Sequence, residues 1–124
     1  MTIGSHLILD LYGCNPEDER LLSSERGLEA TLGAASRKAG ATVRSFHSHP
    51  FQCRESGKTA WSIMVILEES HASMHCWPLE KFISLDLYTC GNTKPIEAFE
   101  YLKSVFRPKD FQTTLLKRGA KVVS

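Results

Sequence analysis

The chain has 124 residues, with 15 lysines and arginines set against 14 aspartates and glutamates. That length suits one compact domain, expected over residues 1–124, with a small core. A net charge near zero, with no basic run longer than two residues, argues against nucleic acid or an acidic membrane surface as partner.

The longest wholly apolar run, residues 63–67, is too short to span a bilayer, and the first residues show no signal-peptide pattern. Cys14, Cys53, Cys76 and Cys90 are irregularly spaced, with no C-x-x-C pair. They read as reduced thiols of a cytoplasmic protein.

In chain order, residues 3–12 read as a strand and 13–16 as a turn. Pro16 and the acids Glu17, Asp18 and Glu19 suit a helix start, since acids near the first turn meet its positive dipole end. Leu21, Leu22, Leu28, Leu32 and Ala35 recur at roughly helical spacing, and Gly40 is a C-terminal stop. Gly27 and Gly33 weaken this helix. Residues 41–47 read as a strand, 50–58 as a polar loop, and 59–67 and 70–77 as strands.

In residues 82–90 one face carries Phe82, Ser84, Asp86, Tyr88 and Cys90, and the other Ile83, Leu85, Leu87 and Thr89. Residues 94–106 form a helix with an apolar stripe of Ile96, Phe99, Leu102, Val105 and Phe106, which Pro108 ends. Residues 111–116 are a last strand. The order predicts an α+β fold: a two-layer sandwich with an antiparallel β-sheet and helices on one face.

The stretch from Glu68 to Pro78 holds the richest chemistry. Ser70 sits at a tight connection, and His71, Ser73 and His75 are expected to share its face on the following strand. A hydroxyl, an imidazole and a nearby thiol are the parts of a nucleophile, a base and an acid. The same residues also read as ordinary strand positions with satisfied hydrogen bonds.

This stretch resembles the processing site of prokaryotic S-adenosylmethionine decarboxylases. The motifs that carry the resemblance are Glu69-Ser70-His71, His75, Trp77-Pro78 and Thr89-Cys90-Gly91. Gly4-Ser5-His6-Leu7, Tyr12-Gly13-Cys14, residues 39–42, Phe46-His47 and residues 98–102 extend it over nearly the whole chain.

The resemblance implies a pyruvoyl-dependent, self-processing enzyme of polyamine biosynthesis. In it, Ser70 attacks the Glu69 carbonyl and forms an ester. A base removes the Ser70 α-proton, and β-elimination releases fragment 1–69 and leaves a dehydroalanine on 70–124, which water hydrolyses to ammonia and a pyruvoyl group that forms a Schiff base with the substrate amine. It further implies His75 as processing base, Ser62 as processing aid, Cys90 as proton donor and a homodimer of cleaved protomers.

Two positions depart from the family pattern. Leu79 follows Trp77-Pro78 where a ribose-binding glutamate is expected, and the nearest carboxylate is Glu80. A one-residue shift along a strand reverses the face. His49 stands where an adenine-stacking aromatic is expected, with Phe51 two residues later, and the loop to Ser62 is longer than the family's.

His49, Phe51 and Glu80 are therefore the candidate substrate-binding residues, with Glu55 as a second substitute carboxylate. The departures keep arginine or ornithine open as alternative substrates. A His/Cys metal-binding module is the non-enzymatic rival. None of its spacings, such as His47 to His49 or His71 to His75, is a standard zinc pattern, so no metal is assigned. An unprocessed regulatory homologue is a second rival, against which the intact Ser70, His75 and Cys90 argue.

Overall fold

The computed structural model describes residues 3–68 and 70–122. Six strands alternate with two helices and a short 3-10 segment. They are β1 Gly4–Tyr12, the 3-10 turn Glu19–Ser23, α1 Glu25–Lys38, β2 Val43–Gln52, β3 Thr59–Leu67, β4 Ser70–Trp77, β5 Phe82–Cys90, α2 Pro95–Phe106 and β6 Asp110–Arg118. The strands form one sheet in the order β2-β3-β4-β5-β1-β6, with every neighbouring pair antiparallel. Both helices lie on the same face, as the sequence predicts.

Alternation builds the two faces. Leu9, Leu11, Ile63, Val65, Met74, Ile83 and Leu87 point toward the helices and are buried, packed with Leu28, Leu32, Leu102 and Phe106. Cys14 and Cys76 lie in this core, where burial pushes their thiols up to about 11 and about 12. Among the described residues, no helix is long and apolar enough to cross a membrane.

Three local expectations change. The first helix does not run unbroken from Pro16. Ser24 adopts an extended backbone and caps α1 by accepting from the Gly27 amide at 3.0 Å, leaving a separate 3-10 turn before it.

Gly33 is no weakness, because a Cβ there would lie 2.8 Å from Cζ of Phe46, so glycine is what lets β2 approach the helix. Residues 50–52 are strand rather than loop. Pro50, which has no N–H to donate, is tolerated because β2 is an edge strand.

Candidate active site

The uncovered face of the sheet carries nearly all the reactive side chains. Reading across the strands, register aligns them in rows. One row holds Cys90, Gly4 and Arg118. The next holds Ser45, Ile66, His71, Tyr88, His6 and Leu116, and then come His47, Met64, Ser73, Asp86, Ile8 and Thr114. A further row holds His49, Ser62, His75, Ser84, Asp10 and Gln112.

At the far end four rings run across the sheet. Phe51 meets Trp77 edge-on at 5.7 Å, Trp77 stacks on Phe82 at 5.2 Å, and Phe82 stacks on Tyr12 at 5.2 Å.

Ser70 corrects one expectation. It heads β4 opposite Leu67, and alternation sets it in step with Ala72, Met74 and Cys76, not with His71, Ser73 and His75. Its hydroxyl donates to the Glu68 carbonyl at 3.2 Å, back over the turn. Glu69, the other half of the expected cleavage bond, lies outside the described residues.

The expected site residues separate into two groups. Ser70 and Cys90 stand at one end of the sheet, Cys90 on the open face and Ser70 at the head of β4 in step with the covered face, since Cys90 is two residues beyond Tyr88, the partner of His71. Ser62 and His75 stand at the other, joined by a hydrogen bond of 3.0 Å between Oγ and Nδ1. His75 lies five positions along β4 from Ser70, which is about 16 Å at the rise of an extended strand.

His49 pairs with Ser62 in the same row as His75, and Phe51 lies one row further out. Glu80 sits off the sheet, in the turn between β4 and β5. There the Cys53 thiol donates to Glu80 at 3.6 Å and to Glu55 at 3.2 Å. Leu79 beside it is exposed.

Between the two groups lies a network the sequence reading did not single out. Asp86 accepts from the Ser73 hydroxyl and from Nε2 of His6 at 2.7 Å, with Nε2 of His71 at 3.9 Å. Burial pushes the Asp86 carboxyl up, but these hydrogen bonds and the charges of His6 and His71 outweigh it and hold it below its ordinary value. Tyr88 lies against both imidazoles, and the guanidinium of Arg118 sits over its ring. Asp86 and Tyr88 were legible as sharing Cys90's face. His6 and Arg118 reach it only through the pairing of β1 with β5 and β6.

Among the described residues, no group of three His, Cys, Asp or Glu side chains is placed to hold a metal ion.

The family model described as S-adenosylmethionine decarboxylase matches residues 5–119. The chain belongs to that family. Membership makes it a decarboxylase, a carboxy-lyase.

It is 32% identical over 121 residues to the S-adenosylmethionine decarboxylase proenzyme of Methanococcus aeolicus, covering 97% of each chain. To the proenzyme of Thermodesulfovibrio yellowstonii it is 36% identical, over 94% of this chain and 82% of that one. The crystal structure of the Aquifex aeolicus adenosylmethionine decarboxylase superposes with a TM-score of 0.78 at 28% identity, over 99% of this chain and 94% of that one.

The Trypanosoma brucei AdoMetDC-delta26 monomer shares the fold at 19% identity and a TM-score of 0.57. This chain covers 45% of its length.

Proposed function

We propose that this chain cleaves itself between Glu69 and Ser70 and then decarboxylates S-adenosylmethionine, as a homodimer whose two open sheet faces meet. The relatives reported above are named for S-adenosylmethionine, not for arginine or ornithine, and this supports the nucleoside substrate. One observation carries the dimer. The Ser62–His75 pair stands about 16 Å along β4 from Ser70, too far to serve it within one chain.

A second copy, turned about a two-fold axis through the middle of the open face, brings the partner's far end over the first chain's Ser70 and Cys90. The exposed Ile8, Met64, Ile66 and Leu116 on that face supply apolar surface for the contact.

Each residue then has a task. The Ser70 hydroxyl lies over the turn and is the nucleophile for the N-to-O acyl shift. If His75 donates Nδ1–H to Ser62, Nε2 keeps its lone pair for the α-proton of residue 70. Ser62 fixes that tautomer and ring orientation.

Ser70 heads a strand, half-exposed, with a single backbone acceptor for its hydroxyl, so an acyl group no larger than its own side chain fits there. A pyruvoyl group supplies a carbonyl that takes the substrate amine and accepts electrons as carbon dioxide leaves. Cys90 returns the proton. His49 and Phe51 offer flat surfaces to adenine, and Glu80 is the nearest carboxylate for the ribose. Cys14, Cys53 and Cys76 are free thiols, which fits a reducing cytoplasm.

Mixing two inactive variants tests this. Ser70→Ala and His75→Ala chains each remain uncut alone. Unfolded and refolded together, they form mixed pairs in which an intact Ser70 meets the other chain's intact His75. Denaturing mass spectrometry is then expected to show fragments 1–69 and 70–124 from the His75→Ala chain only. An uncut mixture, with mixed pairs present by native mass spectrometry, overturns the shared site.

A further inference from the structure

Arg118 ends β6 on the same row as Cys90, with only Gly4 between them. Gly4 leaves room for a ring: a Cβ there would lie 2.8 Å from Cε1 of Tyr88 and 3.1 Å from its hydroxyl. The Tyr88 phenol therefore lies over Gly4, beside Cys90, and the Arg118 guanidinium sits above the ring at 4.6 Å from its centre.

One guanidinium nitrogen donates to Nδ1 of His6 at 3.4 Å, while Nε2 of His6 donates to Asp86. The fork is thus pinned from two sides. Among the described residues it meets no carboxylate, so donors remain for a ligand.

We infer that Tyr88 and Arg118 form the wall that receives the carboxylate the reaction removes. This rests on the proposed decarboxylation at Ser70. A planar guanidinium offers a carboxylate two parallel donors, and stacking on a ring fixes the plane of the fork. Arg118 belongs to β6, three strands from β4, but its guanidinium lies over the ring of Tyr88 on β5, the strand beside β4, and from there it would orient the carboxylate of a substrate joined to residue 70. The carbon dioxide that leaves is neutral and loses the attraction.

The wall should distinguish substrate from product, because only the substrate carries the carboxylate. Arg118→Gln is expected to raise KM for S-adenosylmethionine about tenfold to a hundredfold, the effect of losing a charged hydrogen bond. The inhibition constant of decarboxylated S-adenosylmethionine should change less than about threefold, because that ligand never used the fork. Arg118→Lys should recover part of the loss, and Tyr88→Phe should shift the same ratio by less.

KM and the inhibition constant moving together, or neither moving, overturns the inference. Failure of Arg118→Gln to cleave also overturns it, by assigning the guanidinium to maturation. A wild-type chain that cleaves but releases no carbon dioxide from S-adenosylmethionine contradicts the underlying reading instead.

Discussion

The two faces of the sheet are made by the same strands, one residue apart, and they do different work. The helix-covered face is apolar and closed. Leu9, Ile63 and Ile83 have no exposed surface there, and its two thiols are held protonated by burial. The open face mixes histidines, hydroxyls, an aspartate and aromatic rings with exposed isoleucine, methionine and leucine. One face supplies rigidity, and the other uses it to hold chemistry in fixed register without depending on loops.

The sharpest way to break this division is at Ser70. Ser70→Ala should abolish cleavage and leave one chain, while wild type yields 1–69 and 70–124. The second fragment should be blocked at its N-terminus and lighter by one ammonia than a serine start. Intact mass after denaturation reads this directly, and a wild-type chain that stays uncut on long incubation at neutral pH overturns the maturation scheme.

Changing His75 to Ala acts one step later. The acyl shift does not need the α-proton removed, so the chain should stall as an ester that hydroxylamine splits.

On the covered face, Leu9→Ala should cost about 2–5 kcal/mol, read by urea denaturation in an uncleavable Ser70→Ala background. Ile66→Ser on the open face should do the reverse, changing chain stability by less than about 0.5 kcal/mol while weakening self-association, seen by sedimentation.

The smallest effect concerns acid. Asp86 titrates below its ordinary value of 3.8 in the fold, so its ionised form contributes stability above that value and loses it as pH falls through the lowered one. Asp86→Asn should flatten the stability profile below about pH 4 and leave its neutral limb alone.

Much of this was legible in residue order. The alternation of residues 82–90 fixed which side chains accompany Cys90, and the strong β-formers of 59–67 and 70–77 bounded two strands. Residues 50–52 misled because proline and polar neighbours suggest a loop, whereas an unpaired edge accepts a residue with no N–H. Gly33 misled because a helix glycine reads as a weakness until the Phe46 ring above it is seen.

The distance between Ser70 and His75 follows from strand geometry alone, yet the family motif places them so close in sequence that they suggest one cluster. His6 and Arg118 were out of reach, because they depend on β1 lying between β5 and β6, a pairing across most of the chain.

That placement of β1 has a further consequence. The proposed cleavage after residue 69 would leave β1, β2 and β3 on one fragment and β4, β5 and β6 on the other. In the sheet β3 remains bonded to β4, and β1 remains clasped between β5 and β6. The fragments are interleaved like fingers of two hands and cannot part without tearing ladders on both sides of β1.

Before the cut, denaturation and recovery involve one molecule. Afterwards, recovery requires two separate pieces to find each other, so its yield depends on dilution. On this scheme maturation would turn folding into an act performed once, and the mature enzyme would persist by not letting go.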